Sequence, residues 1–181
     1  LYEAGQTKGD GETHPFLSPN DEFANFERWD AGNLDGSVAK TKDMLEFESA
    51  SAAYKNGLAL EAKLGVNPYK FGLAGGSDAH NGLAAMEEDN FFGKTTPQEP
   101  GPKRMTSAFF ANEKSGVKVM DWQVSSSSYS AVWASENTRE AIWDAMERKE
   151  TFGTSGTRTK IRLMGGFDFP PDLGGRPDWV K

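Results

Sequence analysis

The chain contains no cysteine, which excludes disulfides and thiolate metal ligands alike. Any metal must then be held by His, Asp, Glu and water, a donor set that suits Zn, Mn, Fe or Mg. Histidine itself is scarce, with two in 181 residues. Basic residues are in deficit: 20 Lys and Arg stand against 27 Asp and Glu, for a net charge of -7. A nucleic-acid binder needs the opposite balance, so none is expected as a partner. A surplus of acids is compatible with a site that holds cations. No apolar run reaches the roughly 18 residues that a membrane span requires. The chain opens on Leu1-Tyr2-Glu3-Ala4, without an initiator Met or signal peptide, and reads as a mature product or a fragment. A cysteine-free chain suits cytosol and periplasm equally.

What is present is an ordinary mixture, 36% hydrophobic and 26% charged, with 20 Gly and nine Pro suggesting much loop. The length is enough for one domain with its own core. A short strand is expected over residues 1–6, then a Gly-rich polar loop over 7–20 that carries Glu12 and His14. Residues 21–37 read as irregular or as a short helix with turns. An apolar stripe predicts a helix over 43–64, weakened at Gly57 and stopped by Gly65. The apolar run at 69–74 predicts a buried strand. Residues 81–132 show no periodicity and predict a long loop or insertion. Ser135 reads as the N-cap of a helix over 136–149. Strands are expected at 151–154 and 158–164, and an irregular tail at about 165–181. The alternation predicts an α/β fold with parallel strands, whose sites collect at the strands' C-terminal ends.

The segment Gly75-Gly76-Ser77-Asp78-Ala79-His80 sits at such an end. In an extended strand, residues two apart point to one side, so Asp78 and His80 can reach one ion. The other reading is a turn in which Ser77 and Asp78 cap the next segment. His14 repeats the spacing in Glu12-Thr13-His14, and reads either as a second donor pair or as a surface loop. Glu87, Glu88 and Asp89 read as a solvated face or a secondary cation site. Lys94 and Arg158 could meet an anionic substrate, since a guanidinium matches phosphate or carboxylate in bidentate fashion. Exposure for Lys94 and a structural ion pair for Arg158 are the other readings. Trp122, Trp133 and Trp143 read as core or rim aromatics. Gly-x-Ser-x-Gly, P-loop and Rossmann glycine patterns are all absent.

Several stretches resemble a large bacterial family labelled as a domain of unknown function. That family is related to the PHP (polymerase and histidinol phosphatase) metal-dependent phosphoesterases, within the wider amidohydrolase-like group. The stretches are Lys8-Gly9-Asp10-Gly11-Glu12-Thr13-His14-Pro15, Leu17-Ser18-Pro19-Asn20-Asp21-Glu22-Phe23-Ala24, Asn56-Gly57-Leu58-Ala59-Leu60-Glu61 and Asn67-Pro68-Tyr69-Lys70-Phe71-Gly72. Gly76 to Gly82, Glu88-Asp89-Asn90-Phe91-Phe92-Gly93-Lys94, Trp133 to Arg139 and Lys149 to Gly156 complete them.

The resemblance implies a single partial domain over residues 1–181, the C-terminal portion of a distorted PHP-like (β/α) barrel with long loops. It implies a metal-dependent hydrolase, foremost a phosphoesterase using metal-activated water, with two or three divalent ions (Zn, Mn or Fe) in the complete site. Asp78 and His80 would be metal ligands and carry the catalysis. His14 and Glu12 would join them as ligands. Arg158 and Lys94 would hold a small anionic substrate. Amide or ester hydrolysis in the amidohydrolase manner is the alternative chemistry. The His-x-His motif that opens PHP proteins is missing. The N-terminal part of the same protein, as a separate chain, is therefore a candidate partner, and a non-catalytic binding module is the competing reading. An extracytoplasmic, periplasmic location is the weak lean.

Overall fold

The computed structural model of the chain describes residues 1–25, 28–80, 101–124, 128–154 and 158–176. These form an α/β arrangement of helices and three small sheets. No barrel closes among the described residues. Strand β1 (Tyr2–Gln6) turns through Thr7 and Lys8 into β2 (Gly9–Asp10), with Gln6 opposite Gly9. On its other edge β1 pairs in parallel with β3 (Leu73–Gly75). The expected opening strand therefore lies beside the strand expected over 69–74, which is shorter than that reading and, at Leu73 and Ala74, half-buried.

Between them runs α2 (Ala50–Leu64), preceded by one helical turn, α1 (Lys42–Leu45). The sequence predicts a single helix here. Instead the chain breaks at Glu46–Ser49 so that the Ser49 side chain can accept the Ala52 N–H. Two further N-terminal amides, of Ala50 and Ser51, donate to the carbonyls of Gly11 and Glu12. Helix starts leave such donors orphaned; here the loop after β2 satisfies them and is fastened to the helix. Gly65 ends the helix at φ 74, as expected of a left-handed C-terminal glycine. Tyr54 stacks on Phe71 and donates its hydroxyl to the Phe71 carbonyl, and Phe71 in turn packs on Tyr2.

The stretch expected as a long loop contains β4 (Ala108–Asn112), β5 (Val117–Met120) and the start of a further pair. β4 and β5 form an antiparallel hairpin that packs on residues 29–38 through Trp29, Phe109 and Phe110. Residues 81–100 of that stretch lie outside the described residues. β6 (Ser130–Val132) pairs antiparallel with β7 (Thr151–Gly153), joined through α3 (Arg139–Glu147). The α3 cap is Thr138, not Ser135. β6 abuts β3: the Ser130 hydroxyl donates to the Gly75 carbonyl at 2.6 Å and accepts its N–H at 3.3 Å.

Two expectations are corrected. Among the described residues only β1–β3 is parallel: the tight turns after β1 and β4 return their strands antiparallel, and β6 and β7, joined through α3, pair antiparallel as well. Residues 158–164 form no strand; Arg158 lies on Tyr129 and the Trp133 indole N–H donates to the Ile161 carbonyl, so side chains tether the segment. Trp133 packs on Phe152, whereas Trp122 and Trp143 are exposed. No helix among the described residues is long and apolar enough to cross a membrane.

Candidate functional site

The parallel pair β1–β3 delivers two loops to one end of the sheet. One is the Thr7-Lys8 turn; the other is Ser77 to His80. The buried Thr7 hydroxyl donates to the Ser77 carbonyl at 3.0 Å and pins the loops together. This places the Lys8 ammonium on Asp78 Oδ2. The other carboxylate oxygen, Oδ1, lies 2.9 Å from His80 Nε2. Side-chain exposure falls from His80 (59%) to Lys8 (24%) and Asp78 (15%), so the carboxylate is the sheltered member. The sequence expectation put Asp78 and His80 on one side of an extended strand. The structure brings them together by another route: β3 has ended and Asp78 sits at φ 50. That left-handed conformation is uncommon outside glycine, and Asp tolerates it better than most.

His14 does not meet Glu12. Its Nε2 lies 3.1 Å from Asp30 Oδ2, and its Nδ1 accepts the Phe16 N–H at 3.0 Å. An Nδ1 that accepts has no proton, so the neutral ring carries its hydrogen on Nε2 and donates it to Asp30. Arg28 shares Asp30 Oδ2 at 3.3 Å. The Glu12 side chain is exposed, and only its backbone takes part, donating to Asp10 Oδ1 and accepting from Ser51.

A cavity of about 360 Å³ opens between these groups, large enough for a small molecule. Lys8, His14, Arg28 and Asp30 line it, with Lys40 paired to Glu48 at 2.5 Å. Four carboxylates (Glu3, Asp10, Asp30 and Glu48) face three cations (Lys8, Arg28 and Lys40) in its wall. The Tyr2 phenol at its edge is pushed above its ordinary pKa, first by burial and then by the Asp10 and Glu48 carboxylates. Asp78 and His80 stand outside the lining, and Lys8 connects them to it.

Arg158 is not among the cavity's lining residues; its guanidinium lies 4.0 Å over the Tyr129 ring, with a 3.4 Å bond to Thr154 Oγ1. Lys94 and the Glu87-Glu88-Asp89 cluster lie outside the described residues.

The donors make two pairs and not a complete centre. The separations of 2.9 and 3.1 Å are those of ordinary hydrogen bonds, a range that overlaps the spacing of neighbouring ligands on one ion. Yet no group of three His, Asp or Glu side chains that could hold an ion is assembled among the described residues. Catalytic sites generally use three protein ligands, so the described residues do not fit a whole metal centre.

Sequence reasoning missed Lys8, Arg28 and Asp30. Lys8 and Asp78 are 70 residues apart, and no local spacing points from one to the other. No curated protein and no solved structure matches the chain. Over residues 1–181 it matches the family described as "Protein of unknown function (DUF3604)", and it belongs to that family.

Proposed function

We propose that this chain contributes to a metal-dependent hydrolase, foremost a phosphoesterase of PHP type, with Asp78 and His80 as two of the ligands of a divalent ion (Zn, Mn or Fe). The observation that carries the reading is the Asp78–His80 pair, 2.9 Å apart at the C-terminal end of the parallel strands. The acid surplus in the neighbouring cavity wall favours a cation nearby. His14 is a further candidate ligand through Nε2, which requires Nδ1 to release the Phe16 N–H and take up the ring proton. Its partner is then Asp30, and Glu12 stays peripheral. The three-stranded sheet is, in this reading, one part of a distorted (β/α) barrel. The substrate is a small anion, with Arg158 and Lys94 the candidates for holding it.

The test is hydrolysis of a panel of aryl phosphates, aryl esters and aryl amides by the wild-type protein, Asp78→Ala and His80→Ala. Loss of at least about a hundredfold in phosphate hydrolysis in both variants is expected, the usual scale for removing an essential catalytic group. Loss confined to ester or amide hydrolysis selects the amidohydrolase-like chemistry instead. Activity unchanged in both variants sinks the reading.

A second reading is a non-catalytic module, favoured by the want of a third donor beside either pair among the described residues. It expects no turnover of any panel member and no change in thermal stability on adding ZnCl₂ or MnCl₂. A ligand that binds the folded state must raise that stability.

A further inference from the structure

We propose that the cavity beside β1 is a binding site for a neutral polyhydroxylated molecule the size of a monosaccharide, held by the ion pairs of its wall. The proposal goes beyond the hydrolase reading and needs no metal at Asp78.

The cations of the wall are already neutralised. Lys8 lies on Asp78, Arg28 on Asp30 at 3.3 Å and Lys40 on Glu48 at 2.5 Å. Of the two remaining acids, Glu3 is exposed and Asp10 Oδ1 accepts the Glu12 N–H at 2.7 Å. An ionic ligand must draw one member of a pair away from its counter-charge, and a sheltered charge left alone is costly. A hydroxyl does not, because it donates and accepts at once. Two of the pairs keep both functions open among the described residues. Arg28 and His14 both meet Asp30 at Oδ2, which leaves Oδ1 to accept, next to the remaining guanidinium N–H groups. Lys40 spends one proton on Glu48 and one on the Trp29 carbonyl at 2.8 Å, which leaves its third beside the second Glu48 oxygen. Each pair therefore sets a charged donor next to a charged acceptor. Neighbouring hydroxyls of one molecule can meet both with charge-assisted bonds and leave the pair intact.

The C–H groups of such a molecule find apolar surface on Tyr2, Trp29 and Leu45 in the same wall. The pairs are in place before a ligand arrives. Lys40 is anchored at 13% side-chain exposure by Glu48 and the Trp29 carbonyl, and Asp30 by Arg28 and His14. That anchoring limits what binding must spend on ordering side chains. The volume of about 360 Å³ is at the small end for ligand pockets and suits a single sugar ring.

The experiment is saturation-transfer and ¹H–¹⁵N NMR of the wild-type protein with D-glucose, D-galactose, D-mannose, D-xylose and myo-inositol, alongside 1,4-diaminobutane and inorganic phosphate, each at up to about 10 mM so that weak binding is seen. One or more of the polyols should bind and shift the backbone amides of Gly9, Gly11, Thr13 and Ser49 in the cavity wall, leaving those of α3 in place. Arg28→Gln and Glu48→Gln should each weaken that polyol about tenfold or more, the scale of losing a bond to a charged group. Lys63→Gln, on the exposed side of α2, should leave it unchanged. No polyol binding, or binding that moves only amides elsewhere, overturns the proposal. So does unchanged affinity in both cavity variants, or diaminobutane or phosphate shifting the cavity amides where no polyol does. Should a cavity variant fail to fold, the amide shifts of the wild-type protein decide.

Discussion

At the residue scale, the two histidines do different things although each has a carboxylate partner. His80 is mostly exposed and meets Asp78 through one nitrogen. His14 is 13% exposed, with one nitrogen accepting from the Phe16 backbone and the other facing Asp30. Asp30→Asn weakens a bond between a ring N–H and a charged acceptor, so it should cost about 1–2 kcal/mol in urea unfolding. Nitrogen NMR should find the hydrogen of His14 on Nε2. A hydrogen on Nδ1 would contradict the Phe16 bond. Tyr2 gives a pH dependence with a definite sign. An acid whose folded pKa is raised keeps its proton in the fold past the pH at which the unfolded phenol loses its own. Its contribution to stability is full below about pH 10 and is lost as the pH rises from there through the raised folded value. Tyr2→Phe should therefore lessen the alkaline loss of stability, while costing about 1 kcal/mol near neutrality through the bond to the Gly11 carbonyl. The Asp78–His80 pair was legible because two residues apart is a local relation. Asp30 beside His14 and Lys8 beside Asp78 come from elsewhere in the chain, and sequence spacing carries no trace of them.

At the element scale, the glycines report what packs where. Gly57 in α2 is a cost to an isolated helix of about 1 kcal/mol relative to Ala. Here a Cβ would lie 2.3 Å from Asn67 Oδ1, whose oxygen also accepts the Tyr69 N–H. Gly57→Ala should thus destabilise, by about 1–2 kcal/mol, where helix propensity alone would stabilise. Adding Asn67→Ala should recover part of the loss in thermal unfolding. Gly36 is at φ 64 and a Cβ there would meet the Phe110 ring at 1.8 Å. Gly36→Ala should cost more than about 2 kcal/mol by combining strain and overpacking. The end of α2 was legible because Gly65 acts locally. Its start was not, because the carbonyls that receive its first amides belong to residues 11 and 12. The β4–β5 hairpin hid behind Pro97, Pro100 and Pro102, which bias a reading toward loop. Its alternation, with Val117 and Val119 buried and Lys118 exposed, was the signal that locates it.

At the scale of the whole molecule, the apolar residues held deepest among the described ones are small: Ala24, Ala50, Ala145, Val119 and Val124 are almost fully buried. Larger apolar side chains such as Phe23, Phe47, Leu163 and Phe167 are open to solvent. A core of small side chains buries little apolar area per residue, so the stability should fall at the low end for a domain, about 5 kcal/mol or less by urea unfolding. An α/β class could be read from the alternation of patterns, since it depends on local periodicity. A barrel depends on closure between distant strands, which no window of sequence contains. The central claim is that Asp78 and His80 share a divalent ion. Elemental analysis after equilibration with excess MnCl₂ or ZnCl₂ and rapid desalting, comparing the wild-type protein with Asp78→Ala and His80→Ala, tests it most directly. The expected result is roughly one or more ions per wild-type chain and a clear fall in both variants, because removing a ligand weakens the site. Equal metal content in all three proteins, or less than about 0.1 ion per chain in the wild type, would contradict it.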